Sequence, residues 1–464
     1  MKRLLIFGLT LVVAGACPAQ STKASRAANQ SKMPAVVPDP AIAAALRQVS
    51  AAHVRATIEK LVNFGSRSTL SVEQPAASGH GIAAARDWLK SEFERYSQAC
   101  GGCLEVKLDT FIQPPQERIR KPTEISNVYA VLRGSDPQQA KRIFLVTGHY
   151  DSRNSDNFNT TDPAPGANDD ASGTAVSLEC ARILSKMRFP ATIIFLTVAG
   201  EEQGLDGSAH FAKMAKEQGW QIEAALNNDI VGGNRTPGDG QQDSHNVRVF
   251  SEGVPAAASE AELKLLRALG GESDSSSRQL ARAIAEVGRA YLPAIFQPTL
   301  IFRLDRYLRG GDHASFNREG FAAVRFTEWR EDYNHQHQTP RTENGVEYGD
   351  WPKFVDFDYV ANVARLNSAT LAALASAPAA PASVKLETKQ LQNDSTLTWE
   401  SAAGAVAYEI LWRATDAADW QNAKSVGKVI QATLPISKDN VIFAVRSVDA
   451  KGHKSILVVP APER

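Results

Sequence analysis

The chain has 464 residues, and its 51 basic and 51 acidic side chains give a formal charge of zero. This length allows two or three domains. The balanced charge gives no indication of a nucleic-acid or strongly acidic partner. The N-terminus is unusual, because Lys2-Arg3 precede an apolar run over residues 4–14 and then Cys17. This pattern is typical of an export signal. The run is too short for a transmembrane helix, which needs ~20 apolar residues.

We therefore expect residues 1–19 to be a signal peptide and residues 20–39 a flexible leader. The protein would be secreted or periplasmic. Anchoring as a lipoprotein through Cys17 stays open, because the position three before it is Ala14 rather than the usual Leu. In an exported protein, Cys100 and Cys103 predict a short disulfide rather than a metal site.

The middle of the chain alternates between helical and strand patterns. Helices are predicted over residues 40–64, 81–96, 172–186, 207–218, 260–269 and 276–287, and strands over 125–133, 142–147, 191–199 and 226–231. Nearly continuous apolar strands suit a parallel sheet that is covered on both faces. The predicted fold for residues 40–375 is therefore an α/β three-layer sandwich with a mostly parallel central sheet.

The C-terminal part has a different pattern. Residues 376–382 are rich in Pro and Ala and predict a linker. Short strands are predicted after it, over 384–386, 396–399, 407–413, 429–435, 441–445 and 456–459. This spacing favours a small β-sandwich over residues 383–464. Trp399, Tyr408 and Trp412 lie where a fibronectin type III-like domain has core aromatics. Such a unit could bind a surface or a partner, although a packing role is the simpler interpretation.

Polar residues with metal-binding chemistry follow the predicted strands. His149 and Asp151 come after one strand, and Glu201-Glu202 after the next. The other candidates are Asp169, Asp170, Asp229, Asp312, His313, His335 and His337. Ligands gather at the carboxyl ends of strands in such sheets. Imidazole and carboxylate without thiolate suit catalytic zinc, manganese or cobalt.

Four motifs make the pattern specific. They are Gly148-His149-Tyr150-Asp151, the stretch PGANDDASG at 165–173, the stretch AGEEQGLDGS at 199–208, and Asn228-Asp229. In order, spacing and residue type they resemble the M28 family of co-catalytic zinc aminopeptidases. The resemblance covers roughly residues 128–372 and implies a secreted hydrolase with two zinc ions per chain.

The resemblance also implies a role for each residue. His149 and Asp229 would bind one ion, and Glu202 and His337 the other. Asp169 would bridge both ions.

Glu201 would be the general base, and Asp151 would orient His149. Asp170 would be a neighbour that binds no metal.

The last histidine ligand has two candidates. His337 fits the family pattern best, and His335 is the alternative. The residue before His337 is Gln336, where some relatives have a tyrosine that stabilises the reaction intermediate. Asp312 and His313 match a motif that usually lines the substrate pocket, and Tyr333 is a further candidate there.

The expected activity is removal of N-terminal residues from peptides or proteins. Two other functions stay open, a glutaminyl cyclase with a single zinc and a non-catalytic adhesion or receptor module. A carboxypeptidase is also open, because specificity is set in the pocket rather than by the metal ligands.

Overall fold

The computed structural model describes residues 33, 35–236, 240 and 242–463. The predicted signal peptide and Cys17 lie outside them. Within the described part, none of the helices has the length and apolar character that a membrane span requires. Cys100 and Cys103 form the predicted disulfide.

A central sheet of eight strands organises the larger part of the chain. Its strands are β1 (Leu104–Gln113), β2 (Thr123–Leu132), β3 (Arg142–His149), β4 (Thr192–Val198), β5 (Gln221–Asn228), β6 (Asn246–Ser251), β7 (Gln297–Ile301) and β8 (Ala323–Glu328). The order across the sheet is β1-β2-β4-β3-β5-β8-β6-β7. The four neighbouring strands β4, β3, β5 and β8 are parallel. Their carboxyl ends therefore meet at one edge.

Helices cover both faces of this sheet. The helices of this part of the chain are α1 (Pro40–Leu46), α2 (Ala51–Val62), α3 (Gly81–Ala99), α4 (Ala171–Leu184), α5 (Glu201–Gly204), α6 (Asp206–Glu217), α7 (Glu260–Leu269), α8 (Ser276–Tyr291), α9 (His313–Arg318) and α10 (Phe357–Ser376). Short 3₁₀ turns lie at Thr69–Ser71, Ala76–Ser78, Gly271–Ser273 and Pro352–Phe354.

Alternate side chains of β3 enter two separate apolar cores. Phe144 and Val146 pack on the face that α2, α4 and α10 cover. Ile143 and Leu145 pack on the opposite face, in a core with Phe211 of α6. Because successive side chains of a strand point to opposite faces, this division confirms the predicted three-layer α/β fold.

Seven strands form two small sheets at the C-terminus. They are β11 (Ala382–Glu387), β12 (Ser395–Glu400), β13 (Ala407–Ala414), β14 (Asn422–Gly427), β15 (Gln431–Leu434), β16 (Val441–Val448) and β17 (Ala461–Glu463). The sheet orders are β15-β12-β11-β17 and β14-β13-β16. Trp399, Tyr408 and Trp412 are buried in the core between them. The fibronectin type III-like assignment stays a prediction.

The C-terminal sheets are attached to the larger part through polar contacts in α8 and just before it. Arg413 donates to both carboxylate oxygens of Asp274, at 2.9 and 2.8 Å. Arg446 pairs with Glu286 at 2.8 Å. The indole of Trp420 donates to Gln279. The pair of Arg413 with Asp274 is buried, so these sheets pack as part of the molecule.

Several predicted boundaries were wrong. The predicted helix over residues 40–64 is two helices, because Ser50 caps the start of α2 with its side chain. The strand predicted to reach residue 231 ends at Asn228, so Asp229 follows the strand. Residues 456–459 form only isolated bridges, and the final strand is β17. A further pair, β9 (Arg341–Glu343) and β10 (Val346–Tyr348), forms a hairpin that was not predicted.

Candidate metal centre

His149 is the last residue of β3 and is completely buried. Its Nδ1 lies 3.2 Å from the backbone oxygen of Asp151 and 3.4 Å from its carboxylate. That carboxylate also accepts from Thr69 Oγ1, at 3.0 Å. An acceptor at Nδ1 favours the tautomer that leaves Nε2 free to bind a metal. This geometry agrees with the orienting role predicted for Asp151.

Asp169 lies between two histidines. Its Oδ1 is 3.2 Å from His149 Nε2, and its Oδ2 is 2.8 Å from His337 Nε2. The backbone N–H of Asp169 donates to Asp350 Oδ2 at 2.7 Å, which fixes the loop before α4. Each carboxylate oxygen of Asp169 therefore faces a different imidazole, as a bridging ligand requires.

The two glutamates follow β4 at a sharp turn. Gly200 has a φ of 81°, which few residues other than glycine adopt. This turn starts α5 immediately after the strand. Glu202 is buried, and its Oε2 lies 3.1 Å from His337 Nε2. Glu201 lies with His149 and Asp229 instead.

Asp229 follows β5 and lies beside a buried cation. Its Oδ1 is 4.0 Å from His149 Nε2 and 2.8 Å from Arg325 Nη2. Arg325 also donates to Asp305 at 2.8 Å. Arg325 therefore offsets the charge of Asp229 and fixes its direction.

Six potential ligands form two clusters. One is His149, Glu201 and Asp229, and the other is Asp169, Glu202 and His337. In each cluster the ligand atoms lie within 4.8 Å of one another. Among the described residues, buried His149 Nε2 and Glu202 Oε1 have no hydrogen-bond partner. Unpaired buried polar atoms are costly, and a divalent cation would satisfy both. Histidine and carboxylate ligands fit zinc.

The charges of the site shift the pKa values of its residues. Burial opposes protonation of His149, but the carboxylates of Glu201, Asp151 and Asp169 raise its pKa well above the usual value. Burial likewise opposes protonation of His337, yet Glu202 and Asp169 raise its pKa to about 10. Both imidazoles therefore experience a field that favours positive charge, which is the field that a bound cation would experience.

The remaining predicted residues lie around these clusters. Asp312 and His313 are completely buried where α9 begins. Burial and then Asp229 and Asp151 raise the pKa of Asp312 to about 7. His313 Nε2 lies 2.9 Å from the backbone oxygen of Leu304.

Tyr333 is exposed. His335 stacks on Phe354, with its ring centroid 3.7 Å away, and it belongs to neither cluster. The geometry therefore favours His337 over His335.

Four further residues contact the site but were not predicted. They are Arg67, Arg153, Arg325 and Asp350. Arg67 is fully buried and donates to the backbone oxygens of Tyr150 and Pro165, at 2.8 and 2.7 Å. Arg153 donates to Glu202 Oε2 at 2.8 Å. The only sequence signal for Arg153 is its position two residues after Asp151.

Two cavities open beside Asp169. One, of about 490 Å³, contains Glu201, Glu202 and His337 together with Arg118 and Arg309. The other, of about 840 Å³, extends toward Glu328. Both contain Asp169 and Gln336, so they meet at the metal-ligand clusters.

The chain is similar to known proteins over most of its length. Residues 127–344 match the profile of peptidase family M28. A "probable zinc metalloprotease" of Leptosphaeria maculans is 46% identical over 427 residues, which cover 92% of this chain and 98% of that protein. One of Pyricularia oryzae is 47% identical, over 92% of this chain and 86% of the relative. LapB from Legionella pneumophila shares the fold, with a TM-score of 0.51 and 18% identity over 74% of this chain and 77% of LapB.

Proposed function

This chain belongs to peptidase family M28 and is a zinc metallopeptidase, and from that premise we propose that it is an exported aminopeptidase that uses two zinc ions. The observation that carries the proposal is the position of Asp169. One of its oxygens faces His149 and the other faces His337. A carboxylate in this position would hold two ions together, and paired ions ~3.5–4 Å apart are typical of two-metal hydrolases.

The metal ligands follow from the same geometry. His149 and Asp229 would hold one zinc, Glu202 and His337 would hold the other, and Asp169 would serve both. Two bound zinc ions would acidify a water molecule and polarise the scissile carbonyl.

The residues of the chain perform the proton transfers. Glu201 takes a proton from the attacking water and delivers it to the departing amine. Burial, followed by the carboxylates of Asp229, Glu202 and Asp312, raises the pKa of Glu201 well above the usual value. A raised pKa suits this role, because the group must both accept and release a proton near neutral pH. Asp151 keeps His149 oriented through the contacts at Nδ1.

The other functions fit the geometry less well. A single-zinc glutaminyl cyclase needs one metal cluster, whereas the described residues form two. A non-catalytic module needs no general base at this position, yet Glu201 lies with His149 and Asp229. A carboxypeptidase differs in its substrate pocket rather than in its metal ligands, so an activity assay must separate it from an aminopeptidase.

A peptide panel tests the proposal. Purified protein is incubated with peptides that have free or acetylated N-termini and free or amidated C-termini. We expect hydrolysis only where the N-terminus is free, loss of activity with a chelator, and recovery with zinc. Activity that requires a free C-terminus instead would identify a carboxypeptidase. Activity that is unaffected by the chelator would refute the metal mechanism.

A further inference from the structure

The larger cavity beside the metal-ligand clusters is mainly acidic. It measures about 840 Å³, and it contains seven carboxylates against the cations Arg235 and Lys353. This volume is within the range of ligand pockets, ~300–1,000 Å³. The cavity begins at Asp169 and Gln336, which also line the cavity of Glu201. A substrate carbonyl at the zinc ligands would therefore place a neighbouring side chain within reach of the acidic cavity.

Two of the seven carboxylates around this cavity form ion pairs with Arg or Lys. Glu331 pairs with Arg248 and Arg306. Glu347 pairs with Lys353. The charges of these two carboxylates are therefore largely offset.

Among the described residues, Glu328, like Asp350 and Asp356, forms no ion pair with Arg or Lys, but it is the most deeply buried of the seven carboxylates. It is 1% exposed, and its Oε2 accepts from Asn168 Nδ2 at 2.8 Å and from the backbone N–H of Gly233. Among the described residues, no Arg, Lys or His forms an ion pair with its carboxylate. Burial, together with the charges of Glu331 and Asp350, raises its pKa well above the usual value. Without a nearby cation the neutral form of Glu328 is therefore favoured, and a cationic ligand would stabilise the charged carboxylate.

The backbone around Glu328 is shaped to hold this carboxylate. A Cβ at Gly233 would lie 2.5 Å from Glu328 Oε1, so only glycine lets the backbone approach so closely. A Cβ at Gly232 would likewise lie 2.8 Å from Asn168 Oδ1. Asn168 connects Glu328 to Asp169, the next residue in the chain. Glu328 is therefore held in a fixed place beside the metal ligands.

We propose that this cavity receives the side chain of the N-terminal residue of the substrate, and that Glu328 selects a cationic one, arginine or lysine. The inference rests on the proposed aminopeptidase function. A guanidinium or ammonium group would supply the missing cation and form a charge-assisted hydrogen bond with Glu328. Arg235 also lines the cavity, but it is exposed to solvent, which screens its charge.

Paired substrates isolate the effect of charge. The test compares kcat/KM of the full chain for 4-nitroanilides of arginine and citrulline, and of lysine and norleucine, because each pair has similar size but different charge. A leucine substrate reports general activity. Hydrogen bonds to charged groups are worth more than neutral ones, so we expect the cationic member of each pair to be favoured at least about tenfold.

Two variants test whether Glu328 causes the preference for cationic substrates. In Glu328→Gln the amide oxygen can still accept from Asn168 and Gly233 while the charge is removed. We expect the preference for arginine over citrulline to fall to about twofold or less. The matched control is Glu347→Gln, which changes a carboxylate of the same cavity that Lys353 already neutralises. This variant should keep the wild-type preference.

The possible outcomes separate the two proposals. If wild-type protein cleaves the leucine substrate but does not distinguish arginine from citrulline, the role of Glu328 is wrong and the aminopeptidase function stands. If it cleaves none of the substrates with zinc present, both proposals are wrong. A preference that survives in a folded, zinc-bound Glu328→Gln variant would also overturn the role of Glu328. Should that variant fail to fold, the wild-type comparison still decides.

Discussion

Asp169 and Asp170 are adjacent, yet their Asn variants should fail in different ways. The carboxylate of Asp169 faces the imidazoles of His149 and His337. The carboxylate of Asp170 accepts from backbone N–H groups instead. Its Oδ2 accepts from His149 at 3.0 Å, and its Oδ1 accepts from Gly173 at 2.9 Å and Ile230 at 3.2 Å. Asp170 therefore ties the end of β3 to the start of α4 and to the residue after Asp229.

The expected magnitudes follow from these contacts. In Asp169→Asn an amide nitrogen replaces one ligand oxygen, and nitrogen of this kind does not bind zinc. We expect the zinc content to fall from two ions per chain to one or fewer. In Asp170→Asn the new side-chain amide costs least when its nitrogen takes the place of Oδ2 and faces the backbone N–H of His149. This N–H then loses its hydrogen bond to a charged carboxylate. Such bonds are worth about 1.5–3 kcal/mol, so the free energy of unfolding should fall by about that amount while both ions stay bound.

The assay combines two measurements on the same samples. Zinc is counted by elemental analysis after gel filtration, and stability is measured by urea unfolding. If Asp170→Asn lost zinc as Asp169→Asn does, the division of roles between the two aspartates would be wrong. If wild-type protein bound a single zinc under saturating conditions, the bridging role of Asp169 would be refuted as well.

Three further predictions concern catalysis, pH and stability. Glu201→Gln should lower kcat by about 10²–10⁴-fold with its zinc content unchanged, and a near-normal rate would exclude Glu201 as the base. Burial lowers the pKa of His313 to about 4. Because the unfolded imidazole titrates near ~6.5, the unfolded state binds more protons between these values, and stability should fall as the pH falls through that window. Urea unfolding at about pH 7.5 and about pH 5 gives the free energy of unfolding at each pH. Its fall between the two pH values should be smaller in His313→Gln than in the wild type. Arg413→Met removes the buried ion pair with Asp274 and should lower the free energy of unfolding by about 1.5–3 kcal/mol, because Arg282 still pairs with Asp274. Lys385→Met breaks only an exposed pair, so its urea midpoint should hardly change. If the two variants changed the urea midpoint equally, a structural attachment through Arg413 would be contradicted.

The apolar pattern of the sequence indicated one half of the candidate site. β3 and β4 are apolar runs with every residue buried, so their ends could be read directly from the pattern. His149 and the pair Glu201-Glu202 stand where those runs stop. The long helix α10 was missed, and β1 was missed as well. β1 is an edge strand with half of its residues exposed, so it carries a weaker apolar pattern.

Buried charges explain why the sequence did not indicate the other half of the candidate site. Arg67 lies in a polar stretch, Gly65-Ser66-Arg67-Ser68, that has the composition of a surface loop, yet it is completely buried. Its guanidinium bonds to backbone oxygens of distant residues, and no sequence pattern records such contacts. Asp350 is similar, because its partners Asn168 and Asp169 are about 180 residues away.

Strand β8 carries two of these buried charged residues. Its residues Arg325 and Glu328 interrupt an otherwise apolar run, so the segment did not indicate a central strand. Successive side chains of a strand alternate between faces. Arg325 accordingly lies on one face beside Asp229, whereas Glu328 lies on the other beside Asn168. One short strand thus places a cation against the proposed zinc ligand Asp229 on one side and the carboxylate of Glu328 in the acidic cavity on the other. A register shift of one residue would exchange these faces, so the pairing of β8 with β5 determines both the charge at the proposed metal centre and the charge that we propose meets the substrate.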